Sequence, residues 1–257
     1  MKVVLFCGGQ GMRLRDYSDQ IPKPLVPVGQ RPILWHLMKY YAHFGHTEFI
    51  LCLGHGALKI KQFFLEYHEW ESNDFVLSDG GSRVDMLSTD IDNWSITFVD
   101  TGHDSNIGER LRRVRRYVDA DEMFLANYGD GLSDLDLHKY VDDFAATDRT
   151  ASFLAVAAPH TFHIVHSTVD GYVERFEHIA ESTVRVNAGF FVFRPGIFDV
   201  LNPGEELVLQ PFQRLIDRRD LLVVNYDWFW KNMDTFKDKV LLDDIVASGK
   251  PPWQVWG

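Results

Sequence analysis

Residues 3–14 read VVLFCGGQGMRL, a short apolar run that leads directly into a glycine-rich loop. The uninterrupted run over residues 3–7 is typical of a strand buried inside a parallel sheet. Three glycines after such a strand let the backbone approach a ligand closely, with its N–H groups turned toward it. Arg13 adds a rigid cationic fork, and Lys23, in a Pro-Lys-Pro triplet, adds a compact cation. The stretch therefore predicts a phosphate-binding loop at the end of the first strand.

Three kinds of phosphate-binding loop compete for this stretch. A dinucleotide-binding loop needs G-x-G-x-x-G, but Leu14 stands where the third glycine belongs. A P-loop needs Gly-Lys followed by Ser or Thr, and that triplet is absent from the stretch. The third kind is the loop of a nucleotidyltransferase. The stretch could also be an ordinary glycine turn with surface charges and no binding function. In that case the positions of Arg13, Lys23 and the two flanking prolines would be coincidences.

The composition is that of an acidic chain with a large apolar fraction. The 257 residues are 46% hydrophobic, enough for a sizeable core, and the formal net charge is −11 at pH 7. That charge argues against nucleic acid as a partner, because non-specific binding needs a basic surface. Cys7 and Cys52 each lie in or beside an apolar run, so we interpret them as buried side chains with no catalytic, metal-binding or disulfide role. Without a signal peptide or a run of about 18 apolar residues, we expect a cytoplasmic protein that does not bind a membrane.

Apolar runs alternate with helical patterns along the chain, which is typical of a parallel sheet wound with helices on both faces. We predict strands over residues 3–7, 48–53, 94–99, 123–128, 151–157, 188–193 and 221–226. We predict helices over residues 32–44, 58–67, 110–118, 135–146, 211–218 and 235–246. A hairpin or flap is expected within residues 71–93, and an antiparallel pair over residues 162–166 and 172–176 turns at Asp170-Gly171. The two tryptophans of residues 251–257 should dock on a surface of the same chain or of a neighbouring subunit.

The glycine loop and the downstream P-K-P resemble the nucleoside-diphosphate-sugar pyrophosphorylases, which carry G-G-x-G-T-R-L and P-K-P in the same order and spacing. Met12 replaces the usual threonine. Longer pieces look like the glucose-1-phosphate cytidylyltransferase family from end to end: PILWH at 32–36, VDTG at 99–102, RLRRV at 110–114, GDG at 129–131 and PPWQVW at 251–256. The resemblance implies a Rossmann-like α/β fold with a small antiparallel insert in its second half. It also implies a single nucleotidyltransferase domain over residues 1–257, with a nucleotide-binding half over 1–150 and an acceptor-binding half over 151–257.

Two aspartates are the candidate metal ligands. Asp130 follows the strand predicted over residues 123–128, at the sheet edge where ligands of open α/β sheets gather. A carboxylate there, opposite the glycine loop, suits Mg²⁺ shared with phosphate oxygens. Asp234 is the second candidate, although it could instead cap the helix that follows it. Both lie in motifs, Y-G-D-G and M-D-T, that match the metal-binding aspartates of sugar-1-phosphate nucleotidyltransferases.

The resemblance also implies the nucleotide-binding residues. The backbone of Gly8, Gly9, Gln10, Gly11, Met12 and Gly129 would hold CTP. Arg13 and Lys23 would be the catalytic cations, with Arg13 on the β- and γ-phosphates and Lys23 beside the α-phosphate. Arg110 would read O2 and N3 of cytosine, although it is equally one more charge on a basic helix. The Ile107-Gly108-Glu109 stretch before it departs from the family's T-G-G, which affects the prediction of base specificity.

The acceptor half departs further from the family pattern. The family's E-K-P lysine binds the acceptor phosphate, and here His178 replaces it after Glu177. Asn187 and Gly189 match the family's N-G-G-F-F segment, so we expect all four residues to bind the acceptor. His160, His163, His166 and His178 could suggest zinc, but they lack cysteine partners and a helical i, i+4 pair, which disfavours it.

Three hypotheses for the function follow. The first is a Mg²⁺-dependent cytidylyltransferase that joins CTP and a sugar 1-phosphate, with glucose 1-phosphate as the first candidate, and that assembles as a homo-oligomer as family members commonly do. The second is a cytidylyltransferase for a different phosphorylated small molecule, because the acceptor half is altered. The third is a non-catalytic nucleotide-binding subunit, which the retained Arg13, Lys23, Asp130 and Asp234 disfavour.

Overall fold

The computed structural model describes residues 1–9, 21–158 and 162–256. Gln10, Gly11, Met12, Arg13 and His160, all named above, lie outside these described residues. The described strands are β1 (Lys2–Phe6), β2 (Pro27–Val28), β3 (Arg31–Pro32), β4 (Glu48–Leu53), β5 (Phe75–Ser78), β6 (Arg83–Met86), β7 (Ser95–Asp100), β8 (Phe124–Tyr128), β9 (Gly131–Ser133), β10 (Ala151–Ala157), β11 (His163–Ser167), β12 (Val173–His178), β13 (Arg185–Asn187), β14 (Phe191–Phe193), β15 (Leu221–Tyr226) and β16 (Trp230–Asn232). The described α-helices are α1 (Ile33–His43), α2 (Ala57–Leu65), α3 (Ile107–Val118), α4 (Leu137–Ala145), α5 (Gln210–Asp217) and α6 (Phe236–Ala247).

An eight-stranded sheet runs through the molecule in the order β13-β10-β14-β8-β1-β4-β7, with β15 also paired to β10. The pairs β1–β4, β1–β8, β4–β7 and β10–β15 are parallel. β14 runs antiparallel to both β8 and β10, and β13 runs antiparallel to β10. Only β13 and β14 therefore oppose the other six strands, which confirms the predicted mostly parallel sheet. The predicted antiparallel insert is the β11–β12 hairpin, and a second hairpin, β5–β6, lies within residues 71–93.

The side chains of β1 alternate between two hydrophobic cores, one on each face of the sheet. Val3, Leu5 and Cys7 belong to the core that includes α1, α2, α4 and α6. Val4 and Phe6 belong to the core that includes α3 and α5. Helices therefore cover both faces, as predicted, and complete burial of a side chain such as Leu5 stabilises the fold by about 1.5–3 kcal/mol.

Both cysteines are buried free thiols, as the sequence predicted. Burial raises the pKa of the Cys7 and Cys52 thiols above the ordinary value. A thiol is nucleophilic only as a thiolate, so these side chains act as small apolar groups. Among the described helices, none combines the length and the apolar character that a membrane crossing needs.

The strand predicted over residues 188–193 is confirmed only for residues 191–193, which form β14, because the chain bends at residues 188–190 between β13 and β14. Gly189 and Phe190 have φ angles of 78° and 51°, in the left-handed region that interrupts a strand. A Cβ on Gly189 would overlap the side-chain oxygen of Asn127. That oxygen accepts a hydrogen bond from the backbone N–H of Phe190 at 3.1 Å, so the buried Asn127 fixes the bend.

Helix α3 begins at Ile107, three residues before the start that the sequence analysis predicts. Asn106 caps it, because its side-chain oxygen accepts from the backbone N–H of Glu109 at 2.8 Å. Asn followed three residues later by Glu is a known pattern at helix starts. The longer helix brings Asn106 and Ile107 to the edge of the sheet, beside the end of β1.

The carboxyl-terminal tail docks on the same chain, against α1. Trp253 is completely buried, and its indole nitrogen lies 3.4 Å from Nδ1 of His36. Nε2 of His36 lies 2.9 Å from the carbonyl oxygen of Val28. Burial lowers the pKa of His36 to about 4, so the ring is neutral at pH 7 and uses one nitrogen as donor and the other as acceptor. Trp256 packs edge-on against Trp35 with ring centroids 6.2 Å apart.

Candidate active site

The carboxyl ends of β1 and β8 open onto a cavity of about 440 Å³. Its lining includes Gly8 and Gly9 after β1, Asp130 after β8, and Asn187 at the end of β13. Lys23, Arg110 and Asp234 reach the same cavity from other parts of the chain. The position agrees with the general rule that ligands of open α/β sheets bind beyond the carboxyl ends of the strands.

Lys23 lies between Asp130 and Asp234 inside this cavity. Its ammonium forms an ion pair with Asp130 and lies 2.5 Å from Oδ1 of Asp234. The three side chains come from a 3₁₀ turn at Lys23–Leu25, the turn after β8 and the segment between β16 and α6. The structure therefore brings together three of the predicted site residues, from positions far apart in the sequence.

A short antiparallel ladder holds the two aspartates side by side. β9 pairs with β16 so that Gly131 lies opposite Asn232. The backbone N–H of Met233 donates to the carbonyl of Asp130 at 3.1 Å. The side-chain amide of Asn232 donates to Oδ2 of Asp234 at 2.6 Å and orients that carboxylate. These bonds fix the distance between the two carboxylates before any ligand binds.

The charge of Lys23 is stabilised by its neighbours. Burial alone would lower the pKa of its ammonium, because the charged form loses solvent, and the side chain is only 16% exposed. The carboxylates of Asp130 and Asp234 outweigh this effect and raise the pKa of Lys23 above its ordinary value. Lys23 is therefore a permanent cation at neutral pH, a property that suits contact with a phosphate oxygen.

Asp234 does not cap α6, and that alternative interpretation of it is wrong. The cap is Thr235, whose hydroxyl oxygen accepts from the backbone N–H of Asp238 at 3.2 Å. The Asp238 carboxylate in turn accepts from the backbone N–H of Thr235 at 2.9 Å, which completes a capping box. The carboxylate of Asp234 points to Lys23 instead.

Asp130 and Asp234 supply the kind of donors that Mg²⁺ prefers. Magnesium binds oxygen ligands and is held in proteins by one or two carboxylates together with substrate phosphates. The two carboxylates already converge on one positive charge, the Lys23 ammonium, in a wall of the cavity. Across the described part of the chain, no group of three or more His, Cys, Asp or Glu side chains is arranged around a common metal position. The residues therefore fit a magnesium ion whose other ligands are phosphate oxygens and water.

Arg110 lies on the basic helix α3 but is buried beneath the start of the glycine loop and only 2% exposed, so it is not simply one more charge on that helix. Its Nη2 donates to the carbonyl of Gly8 at 2.9 Å, and its Nη1 donates to the hydroxyl of Thr101 at 2.8 Å. The carbonyls of Leu53, Gly102 and His103 accept the guanidinium's other hydrogen bonds. A Cβ on Gly8 would overlap this guanidinium, so packing against Arg110 favours glycine there. Arg110 lines the cavity, and its role as base reader stays a prediction.

The opposite wall of the cavity is polar. The Asn187 amide donates to the Tyr128 hydroxyl at 3.2 Å, and its oxygen accepts from the backbone N–H of Gly189 at 2.9 Å. Burial, with a further contribution from the Glu206 carboxylate, raises the pKa of Tyr128 to about 12. Tyr128 therefore keeps its proton at neutral pH and can donate it in a hydrogen bond.

Glu177 and His178 lie on β12, and neither is among the described residues that line the cavity. Oε2 of Glu177 lies 2.8 Å from Nε2 of His166 and 3.0 Å from Nη2 of Arg175. The ring of His178 packs edge-on against that of His163 with centroids 5.2 Å apart. Binding of the acceptor by Glu177 and His178 stays a prediction.

Several described residues of the cavity lining were not predicted as site residues, among them Tyr128, Glu206, Trp230 and Asn232. Tyr128 ends the strand before Asp130, and Trp230 and Asn232 belong to the strand before Asp234. Their places at strand ends next to candidate metal ligands could have identified them. Glu206 lies in a loop, and no pattern in the sequence around it predicts its position.

Comparison with known proteins gives the context of this cavity. A family model described as nucleotidyl transferase matches residues 2–238. The chain belongs to the nucleotidyl transferase family. Over 258 aligned residues it is 35% identical to the glucose-1-phosphate cytidylyltransferase of Salmonella typhimurium, with 100% of both chains covered. It is 34% identical to the probable glucose-1-phosphate cytidylyltransferase of Bacillus subtilis over the same length and coverage.

Solved structures share the fold of this chain. The crystal structure of HddC from Yersinia pseudotuberculosis superposes with a TM-score of 0.65 at 18% identity and covers 95% of this chain and 99% of that chain. Transfer of a nucleotidyl group between phosphate oxygens needs no protein nucleophile, so a nucleotidyl transferase acts by alignment and by stabilising charge.

Proposed function

We propose that this chain transfers the cytidylyl group of CTP to the phosphate of glucose 1-phosphate, giving CDP-glucose and pyrophosphate. The observation that carries the proposal is the cluster of Lys23, Asp130 and Asp234 in the cavity at the end of β1. The 35% identity along the whole chain to a glucose-1-phosphate cytidylyltransferase supports the choice of nucleotide and acceptor.

In the proposed reaction, a phosphate oxygen of the acceptor attacks the α-phosphorus of CTP. The new P–O bond forms as the bond to pyrophosphate breaks, and negative charge grows on the leaving oxygens. The Lys23 ammonium donates to an oxygen of the α-phosphate, and the backbone N–H groups after β1, with Arg13, hold the β- and γ-phosphates. Losing one such cation from the transition state costs roughly 10²–10³ in rate.

Asp130 and Asp234 are proposed to hold Mg²⁺, because their oxygens converge in the cavity wall and are oriented by Asn232 and the β9–β16 ladder. When bound, the ion supplies positive charge to the phosphate oxygens of both substrates. The two carboxylates also form ion pairs with Lys23. Replacing either one would therefore affect both the proposed Mg²⁺ ion and the Lys23 ammonium.

The polar wall of the cavity supports an acceptor with several hydroxyl groups. The Glu206 carboxylate accepts hydrogen bonds, and the Tyr128 hydroxyl and the Asn187 amide can both donate and accept. A sugar offers hydroxyls that do the same. A different phosphorylated small molecule is the second candidate acceptor, because Glu177 and His178 are not among the described residues of the cavity lining.

We further propose a nucleotide-binding half over residues 1–150, an acceptor-binding half over 151–257 and a homo-oligomeric assembly.

The test is pyrophosphate release from each of four nucleoside triphosphates against a panel of phosphorylated acceptors. We expect the highest kcat/KM for CTP with glucose 1-phosphate. A preference for UTP or dTTP would contradict the base assignment, and turnover of CTP with another acceptor alone would favour the second candidate. Mg²⁺-dependent binding of CTP without any turnover would indicate a non-catalytic binding subunit.

A further inference from the structure

Two histidines lie next to each other beside the start of the glycine loop. His55 follows β4, and its backbone N–H donates to the carbonyl of Gly8 at 3.2 Å. His103 lies in the turn between β7 and α3, and its carbonyl accepts from Nη2 of Arg110 at 3.3 Å. The backbone of each histidine therefore belongs to one hydrogen-bond network: His55 donates to Gly8, and Arg110 donates to both Gly8 and His103.

The two imidazole rings meet through their nitrogens. Nδ1 of His55 lies 3.4 Å from Nε2 of His103, and the ring planes are inclined by 78°. This separation is at the long end of hydrogen-bonding distance for two ring nitrogens. Two nitrogens bound at about 2.0–2.1 Å to one tetrahedral zinc ion are about 3.4 Å apart. The spacing thus equals the separation that two imidazole ligands of one metal ion require.

Asp104 supplies an outer partner for the pair. Its Oδ1 lies 2.8 Å from Nδ1 of His103. A carboxylate at this nitrogen holds the proton there and leaves Nε2 with a lone pair that faces His55. Metal-binding histidines are oriented by carboxylates in this way. The side chain of His103 is 57% exposed, so an ion can reach it directly from solvent.

We propose that His55 and His103 bind one divalent transition-metal ion of the zinc type, with Asp104 as the outer partner and water in the other positions. In the parts of the chain that the structure describes, no third His, Cys, Asp or Glu completes the group, so the site has two protein ligands and exchanges its metal readily. Imidazole nitrogens favour zinc, cobalt, nickel and copper over magnesium, which prefers oxygen. The pair is therefore chemically distinct from the carboxylates of Asp130 and Asp234.

Such an ion would join two segments that also hold Arg110. The segment before His55 contributes the carbonyl of Leu53, and the turn at His103 contributes that of Gly102, both as acceptors for the guanidinium. Joining the two segments restricts their separation and stabilises the folded chain, since an ion that binds only the folded state raises its stability by mass action. The inference does not depend on which nucleotide or acceptor the enzyme uses.

The test is a titration of the EDTA-treated, dialysed protein with Co²⁺ in a background of Mg²⁺ that saturates oxygen-ligand sites. Visible absorption of the bound cobalt reports coordination, and the endpoint reports stoichiometry. We expect one equivalent for the wild type and a loss of at least about tenfold in affinity for H55Q and for H103Q. D104N should weaken binding by about tenfold, the effect usual for an outer partner. Zn²⁺ should raise the melting temperature of the wild type but not of the two histidine variants.

The control is H68Q, which removes an exposed histidine that stacks on Trp70 and should leave Co²⁺ binding unchanged. Equal melting temperatures in EDTA establish that the variants are folded. If one histidine variant does not fold, the other and D104N decide the question. Equal Co²⁺ affinity in the wild type, H55Q and H103Q, or no cobalt spectrum in the wild type, would overturn the proposal. An enzyme inactive with CTP but with the expected Co²⁺ binding would contradict only the proposed function.

Discussion

Lys23 and Asp234 are 211 positions apart in the sequence, yet the ammonium of one lies 2.5 Å from a carboxylate oxygen of the other. The contact joins the 3₁₀ turn at Lys23–Leu25 to the segment before α6. Asp130 shares the same ammonium. The two carboxylates therefore hold the Lys23 ammonium between them, and replacing the three residues one at a time gives separable outcomes.

Replacement of Lys23 by methionine should lower kcat by roughly 10²–10³-fold, because a cation that contacts the transferred phosphate is lost. Steady-state pyrophosphate release measures the effect. K39M is a matched control, since Lys39 has a similar 19% exposure and pairs with Asp90 at 3.0 Å in another part of the structure. Activity of K23M within tenfold of the wild type would show that Lys23 does not contact the reacting phosphate.

The variants D130N and D234N should each raise the Mg²⁺ concentration needed for half-maximal activity by at least about tenfold, because an amide is a weaker ligand than a carboxylate. EDTA should abolish turnover of the wild type, and Mg²⁺ should restore it. D121N serves as the control, because Asp121 pairs with Lys2 at 3.0 Å and is similarly part-exposed. An unchanged Mg²⁺ requirement in both site variants would exclude these carboxylates as metal ligands.

The burial of His36 should make stability depend on pH. The pKa of His36 is about 4 in the folded chain and about 6.5 in the unfolded chain, so between these values only the unfolded state takes up the proton. The stabilisation is fully present above pH 6.5 and is lost as the pH falls toward 4, by about 3 kcal/mol in the free energy of unfolding. Urea denaturation at a series of pH values measures it.

H36Q should show a flatter pH dependence of unfolding than the wild type, since glutamine can bond to Val28 and Trp253 without titrating. H43Q changes an exposed histidine of the same helix and should follow the wild-type curve. Parallel curves for H36Q and the wild type would mean that protonation of His36 does not contribute to the pH dependence of the free energy of unfolding.

The two glycines after β1 should differ in their tolerance of alanine. A Cβ at Gly8 would overlap the Arg110 guanidinium and break its buried hydrogen bonds, whereas a Cβ at Gly9 has no described atom within 4 Å. Leaving a buried hydrogen-bonding group unpaired costs about 1–3 kcal/mol, so G8A should unfold at clearly lower urea concentration than the wild type. G9A should stay close to the wild type in the same measurement. Equal stability of the two variants would contradict the packing argument.

Much of the site could be predicted because its residues lie at the ends of strands that the apolar runs already indicate. Gly8 and Asp130 each follow such a run, and parallel strands bring these ends to one edge. Strands β4, β10 and β15 have the predicted bounds for the same reason, since continuous apolar runs leave little choice of register or length.

What could not be predicted depends on contacts between distant segments. Arg110 looks like a surface charge in the sequence, because its acceptors come from the ends of β1 and β4 and from the turn after β7. The bend at Gly189 depends on the side chain of Asn127, and nothing local distinguishes it from a strand. The docking of Trp253 on α1 likewise could not be predicted, because it depends on where the fold places His36.

The antiparallel strand β14 has a consequence for how the chain is made. It lies between β8 and β10, so the edge of β8 stays without a neighbour until residues 191–193 have been synthesised. A nascent chain that has emerged only as far as residue 150 would carry β1, β4, β7 and β8 as an open sheet. Unpaired backbone groups on such an edge attract other chains. During synthesis, β14 must therefore pair with the edge of β8 before another polypeptide does.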